Sequence, residues 1–383
     1  MDKFEFFEKK LKKREEKKEK RKIIPSVPLK NGRIVKNKKM LLNLSSNDYL
    51  GLSFNEKIFE TGCEYALKYG NGSGASRLIT GNPECFLQTE EKIAEFKKKG
   101  KALILNSGYQ ANISMIPALA GRHSIIFSDS LNHNSIIRGS LLSRAEFKRF
   151  AHNDLNHLEE LLKKSMGKSY STKIIITESI FSMDGDISDI DSIHELGEKY
   201  GCILVADEAH ATGVAGEKGR GLAQKADIVM GTFGKGAGVF GAYTACSELM
   251  YDYLINFCEG FIFSTSLPPF TVGAISEAVN IIPQMDKERK HLKNISEKLR
   301  KGLNDLGFNT LESSTQIIPV LTETADKALK TAAFLEEKGV LGVAIRPPTV
   351  PENMSRIRLS LSSVFSEDDI DYVISVFDEL RKK

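Results

Sequence analysis

Lys235 stands alone among four glycines in GTFGKGAG (231–238), directly after the apolar run 227–230. Two chemistries ask for a lysine in that setting. A phosphate-binding loop needs G-x-x-x-x-G-K-[ST], so that backbone N–H groups and a hydroxyl reach phosphate and magnesium. That spacing fails here, because Val229 stands where the first glycine belongs and Gly236 follows the lysine. The second chemistry is covalent: an amine that forms an imine with a flat carbonyl cofactor, with glycines beside it so that the ring lies close to backbone. Taken alone, the octapeptide suits an ordinary glycine-rich loop better, so its neighbours decide.

Asp207 and His210 follow the run CILVA (202–206) as D-x-x-H, a spacing open to a metal pair, a surface loop or a cofactor contact. With Lys235 25 residues further on, the set answers the demands of pyridoxal 5'-phosphate. Asp207 would keep the pyridine nitrogen protonated and His210 would donate to the phenolic oxygen. Gly108 and Tyr109 offer backbone N–H groups to a phosphate at a helix N-terminus, with hydroxyls from Thr232 and Ser182. His133 suits stacking on the open face of the ring or a hydrogen-bonded loop. Arg346, fixed before two prolines in AIRPPTVP (344–351), suits bidentate capture of a carboxylate or an exposed loop. The glycine-rich stretch 70–77 fails the dinucleotide pattern, since Arg77 occupies the place of the last glycine, and reads as an active-site loop.

These residues need elements to hold them. Short Ile/Val-rich runs at 102–105, 124–127, 173–177, 202–206 and 227–230 alternate with amphipathic stretches such as 190–200, the pattern of βαβ units and a mostly parallel sheet. Ligands of such sheets bind beyond the carboxyl ends of the strands, and all five of the following loops are polar. From about 283 the pattern changes to a long polar helix at 287–306, strands at 316–321, 340–345 and 356–361, and helices at 325–338 and 367–381, a smaller α+β domain. Boundaries follow: an N-terminal helical segment 1–44, a large domain 45–282 and a small domain 283–383.

Composition narrows the class. The 383 residues, 41% hydrophobic, suffice for two domains, and no apolar run approaches a membrane span of ~18 residues. The charged N-terminus lacks a signal-peptide core, which points to the cytoplasm. Five scattered cysteines without a C-x-x-C pair indicate neither a disulfide framework nor a zinc site. Residues 1–22 hold 11 Lys/Arg against 6 Asp/Glu, or +5 of a net +4, so the rest of the chain carries −1 and the basic character is local. That segment reads as a solvated helix, ended by Pro25 and Pro28, with Phe4, Phe7 and Leu11 on one face. It also suits attraction of an acidic substrate carrier better than nucleic acid, for want of interleaved aromatics.

The motifs SSNDYLGLS (45–53), GSGASRLITGN (72–82), KRFAHND (148–154), TESIFSMDGD (177–186), DEAHATGV (207–214), TFGKGAG (232–238), FSTSLPP (263–269) and AIRPPTVP together resemble those of the α-oxoamine synthase family. These are fold-type-I pyridoxal phosphate enzymes, and the resemblance runs nearly the whole chain. It implies a PLP-dependent acyltransferase whose large domain has a mostly parallel seven-stranded sheet flanked by helices. It makes Lys235 the imine lysine, Asp207 the partner of the ring nitrogen, and His210 and Ser182 polar contacts. Gly108, Tyr109 and Thr232 would hold phosphate, His133 would stack on the ring, and Asn47, Arg346, Thr349 and Arg21 would face substrate. Ser264 and Thr265 would reach the phosphate of a second subunit, since family members are homodimers with interfacial sites. The AIRPPTVP run favours members that condense L-alanine with a pimeloyl thioester of coenzyme A or a carrier protein, a step of biotin synthesis; glycine C-acetyltransferase, or one protein with both activities, is the alternative.

Overall fold

The computed structural model describes residues 3–17 and 19–383. Contacts divide the chain into two units, one of residues 48–182 and 186–290, the other of residues up to 47, 183–185 and 291–383.

The N-terminal segment holds one helix, Glu5–Glu16, and then three strands, β1 (Ser26–Pro28), β2 (Arg33–Lys36) and β3 (Lys39–Asn43). The helix stops well short of Pro25, and Phe4, Phe7 and Leu11 are all exposed, so the charged run is solvated on every side. The strands form an antiparallel meander through β1, β2 and β3.

The first unit holds β4 (Lys101–Leu105), β5 (Ser124–Asp129), β6 (Glu146–Phe150), β7 (Thr172–Glu178), β8 (Ile203–Asp207), β9 (Ile228–Thr232) and β10 (Ala242–Cys246). They form one seven-stranded sheet in the order β4-β10-β9-β8-β7-β5-β6. The pairs from β6 through β9 are parallel, while β10 runs antiparallel to both β9 and β4. Side chains alternate between two apolar layers. Leu103, Ile126, Ile174, Ile176, Val205 and Ile228 belong to one, and Ile104, Phe127, Ile175, Leu204 and Val229 to the other, none more than 3% exposed. Burial on both faces is why these strands read as continuous apolar runs rather than as alternating ones.

Just behind the end of β8 lies a buried ion pair. Lys97 and Glu208 are 1% and 0% exposed, and Lys97 Nζ donates to the Glu208 carboxylate and the Arg220 carbonyl. Glu208 Oε1 also accepts from the backbone N–H groups of Leu222 and Ala223. Removing only the cation strands a buried carboxylate, which costs about 3–5 kcal/mol. Lys97→Met should therefore lower the urea midpoint by that equivalent at an unchanged slope, whereas Lys97→Met with Glu208→Gln should lose less.

In the second unit, β11 (Ile317–Glu323), β12 (Val340–Leu341), β13 (Val343–Ile345) and β14 (Ser355–Ser360) join helices Ala325–Glu337 and Glu367–Arg381. The stretch 340–345, expected as one strand, is two: β12 pairs in parallel with β3, and β13 pairs antiparallel with β14. Gly342 makes the break, packed so tightly that a Cβ there would lie 2.8 Å from Ile357. The excursion 183–185 is fastened within this unit, since Arg356 Nη1, on a 2%-exposed residue, donates to Asp184 Oδ1 at 2.6 Å.

Candidate active site

Five loops meet at the carboxyl ends of the parallel strands and of β4. Gly108 and Tyr109 open the helix Gly108–Leu119 after β4, and His133 lies in the turn after β5. Asp207 and Thr232 end β8 and β9, His210 follows β8, and Lys235 lies between β9 and β10. All seven line one cavity of about 220 Å³. Ser182, buried in the loop after β7, is not among its lining residues.

The amine is already in a chain of contacts. Lys235 Nζ is 2.8 Å from His210 Nε2, and His210 Nδ1 is 2.7 Å from the hydroxyl of Tyr49, which is fully buried. Asp207, 5% exposed, accepts from Asn112 Nδ2 at Oδ2 (3.0 Å) and from the Ala209 N–H at Oδ1 (2.9 Å). The carboxylate is thus fixed in direction before any ligand arrives.

His133 caps the helix Asn134–Ser143: its Nδ1 accepts from the Ser135 N–H at 3.2 Å and lies 2.7 Å from Ser135 Oγ. An Nδ1 that accepts a backbone N–H carries no proton in the neutral ring, so Nε2–H is the free donor. Loss of water around the ring holds the imidazole below its ordinary range even though the residue has an exposed edge; Asp207 opposes that shift and Lys235 reinforces it. The backbone N–H of His133 donates to Glu178 Oε1 at 2.5 Å. Glu178 is register partner to Asp207, and burial together with the neighbouring Asp207 charge raises its carboxyl well above the ordinary range. The shift is in the direction that avoids two adjacent buried charges.

The glycines around Lys235 serve a different purpose from the one expected. A Cβ at Gly231 would lie 2.4 Å from the Tyr243 hydroxyl, at Gly236 2.6 Å from the Thr212 carbonyl, and at Gly238, where φ is +66°, 2.4 Å from the Ser53 N. Three of the four therefore admit the protein's own neighbours rather than a ring, and only at Gly234 would a Cβ meet nothing nearer than 3.4 Å. The loop is closed by bonds from Phe233 N–H to Gly241 O and from Val239 N–H to Phe233 O. Thr232 Oγ1 donates to Gly241 O at 2.8 Å. The stretch 70–77 does not line the cavity; Arg77, 7% exposed, makes a bidentate pair with Glu90 at 2.8 Å.

Ser264 Oγ accepts from Gln110 Nε2 at 2.6 Å, and the Thr265 carbonyl accepts from Asn106 Nδ2 at 2.9 Å, beside the start of the helix Gly108–Leu119. In the other unit, Arg21 Nη2 donates to Thr349 Oγ1 at 3.2 Å, and Asn47 Oδ1 accepts from Arg358 Nη1 at 3.2 Å. Arg346 is half-buried, and its carbonyl accepts from the Thr349 N–H at 3.0 Å. The contact to Thr349 gives Arg21 a definite place despite the many basic residues around it.

Sequence reading did not single out four residues that line or support the cavity: Tyr49, Asn112, Ser135 and Glu178. Asn112 was signalled by its polarity one helical turn after Gly108, on a helix whose other buried residues are apolar. Glu178 was signalled only by strand register. The donor set fits pyridoxal phosphate: an amine beside an imidazole, an oriented carboxylate for a basic ring nitrogen, and a helix N-terminus for a dianion. Among the described residues no group of three or more His, Cys, Asp or Glu is arranged to hold a metal ion.

Comparison with known proteins agrees with this geometry. Residues 39–377 match the family model for aminotransferase class I and II. A protein of Desulfosudis oleivorans, provisionally named 8-amino-7-oxononanoate synthase, is 47% identical over 384 residues, 100% of both chains. The 8-amino-7-oxononanoate synthase of Gluconacetobacter diazotrophicus is 44% identical over 90% of this chain and 88% of its own. Among solved structures, a serine palmitoyltransferase of Sphingomonas wittichii superposes with a TM-score of 0.93 at 28% identity, covering 100% of this chain and 98% of that one. Another, described as SPT with PLP, gives 0.91 at 26% identity, covering 99% and 98%. The chain belongs to the aminotransferase class I and II family and, within it, to the 8-amino-7-oxononanoate synthase group.

Proposed function

We propose that this chain catalyses the decarboxylative condensation of L-alanine with a pimeloyl thioester, giving 8-amino-7-oxononanoate, CO2 and free thiol for biotin synthesis. The observation that carries this reading is the convergence of Lys235, His210, Asp207 and His133 on one cavity. The chemistry supplied by bound pyridoxal phosphate is delocalisation of the electron pair freed when a bond to the amino acid's Cα breaks.

Lys235 would hold the cofactor covalently, and its free amine, as general base, would remove the Cα proton of alanine and return one to the same carbon. Asp207, aimed by Asn112 and Ala209, keeps a proton on the ring nitrogen. His210, oriented from behind by Tyr49, donates at the ring oxygen. The first-turn amides at Gly108 and Tyr109 would hold the phosphate together with Thr232, whose hydroxyl donates to Gly241 O here. Ser182 adds a polar contact, and Ser264 and Thr265 serve the phosphate of the other subunit in a homodimer.

His133, with Nε2–H as its donor, would sit against the cofactor and hydrogen-bond the thioester oxygen as the carbon–carbon bond forms and the thiol leaves. Arg346, with Asn47 and Thr349, grips the alanine carboxylate until it departs as CO2. Arg21 meets the far carboxylate of the pimeloyl chain. Among the described residues no helix is long and apolar enough to cross a membrane.

Steady-state assay of alanine and glycine against pimeloyl and acetyl thioesters tests the reading. Alanine with the pimeloyl donor should give the highest kcat/KM, and faster acetyl transfer to glycine would overturn it. Loss of one charge-assisted contact is worth about 1.5–3 kcal/mol, so Arg21→Ala should lower kcat/KM for the pimeloyl donor by roughly ten- to a hundredfold without weakening alanine binding. An equal loss with the acetyl donor would move Arg21 to the common carrier.

A further inference from the structure

His152, in the turn after β6, has a carboxylate at each ring nitrogen. Its Nδ1 lies 3.0 Å from Asp129 Oδ1 and its Nε2 2.7 Å from Asp186 Oδ2, while the ring stands edge-on to Phe181 at 4.4 Å. Neither carboxylate can donate when ionised, so both contacts are hydrogen bonds only if the ring carries both protons. Burial works against that charge, but hydrogen bonds to Asp129 and Asp186 and their charges outweigh it, pushing the imidazole up to about 10. Asp129 is fully buried and Asp186 7% exposed, and Asp186 Oδ1 is buried without a hydrogen-bond partner. Each carboxylate therefore needs the cation that His152 supplies.

Both aspartates organise loops of the site. Asp129 ends β5; its Oδ1 accepts from the Leu131 N–H at 2.8 Å and its Oδ2 from the Asn153 N–H at 2.9 Å, shaping the turn that delivers His133. Within that turn Asn132 Nδ2 donates to Ile176 O at 2.8 Å, and Asn132 Oδ1 accepts from the Glu178 N–H at 3.1 Å. Asp186 closes the loop after β7, where its carbonyl accepts from the Phe181 N–H at 3.1 Å. Asn153 Nδ2 donates to Asp186 Oδ2 at 2.8 Å, so the turn at 152–153 grips both loops.

We propose that His152 is a positioning residue: as an imidazolium bridging Asp129 and Asp186, it locks together the turn that carries His133 and the loop that carries Ser182. It touches no reacting atom, and its importance for turnover rests on the function proposed above. Tying two loops by a charged bridge between buried carboxylates leaves His133 with one orientation and one tautomer, instead of several in exchange.

The chain has seven histidines, few enough for selective 15N-histidine labelling to resolve them by NMR. In the wild type at pH 8, His152 should show both ring nitrogens protonated, and His133 a single Nε2–H tautomer. In His152→Gln, which keeps one donor and no charge, the His133 signals should broaden or divide between tautomers. The reducible attachment of cofactor at Lys235 should persist, and kcat should fall about tenfold, as expected for one charge-assisted contact, with a smaller change in the alanine KM. A singly protonated His152 at pH 8 overturns the bridge, and that measurement on the wild type stands even if the variant fails to fold. A folded variant with unchanged His133 signals and kcat overturns the positioning role. If substrate choice fails while the NMR result holds, the error lies in the proposed function and not in the bridge.

Discussion

Lys235→Ala should fold, bind cofactor only reversibly and turn over at least about a thousandfold more slowly than the wild type, since a general base alone contributes about 10²–10⁴-fold. The loss should exceed that of any other single substitution, because the same amine both holds the cofactor and moves the Cα proton. Borohydride reduction of the yellow holo-protein followed by peptide mapping checks the assignment. A label on Lys235 is expected, and a label on any other lysine sinks it. Stability should change little: the loop is closed by backbone bonds among Phe233, Val239 and Gly241 and from the Gly238 N–H to the Lys235 carbonyl, all of which alanine keeps.

Asp207→Asn should lower exchange of the alanine Cα proton on the order of a hundredfold or more, the scale seen when a preorganised electrostatic group is removed. A neutral amide cannot hold the ring nitrogen protonated. It also has one acceptor oxygen where the carboxylate has two, so it cannot keep both the Asn112 Nδ2 and Ala209 N–H bonds. Turning Asn112 over does not help, because its Nδ2 also donates to Ser135 Oγ at 3.0 Å. About 1 kcal/mol of stability should go with the lost bond, visible as a small fall in Tm. Exchange at the wild-type rate would remove Asp207 from this role.

The residues of the proposed site that follow the parallel strands were legible because each stands at or just after the end of an apolar run, and a run buried on both faces is unmistakable in sequence. Asp207, Thr232 and the turn to His133 are placed by that rule alone. The strands that were not anticipated are those that break it. Edge strand β6, Glu146–Phe150, leaves Lys148 and Arg149 exposed, and β10, Ala242–Cys246, is alanine-rich and buried by pairing on both sides rather than by bulky side chains. Glu178 needed more still. Its raised proton affinity exists only because β7 and β8 pair in a register that sets it beside Asp207, and register is a property of two strands at once. Tyr49 and Arg356 likewise act through partners 161 and 172 residues away, beyond any local spacing rule. The N-terminal helix shows the opposite failing: its length was read from the prolines, but charge and exposure end it at Glu16.

The packing of the lysine loop bears on how such chains diverge. Tyr243, Thr212 and Ser53 each forbid a side chain at one glycine, whatever occupies the cavity. A descendant that abandoned acyl transfer and kept the fold would still be held to those glycines by the cost of steric overlap, while nothing in the packing would hold it to the amine. The octapeptide can thus outlive the reaction, and in a drifting lineage the lysine is the letter that records whether chemistry persists.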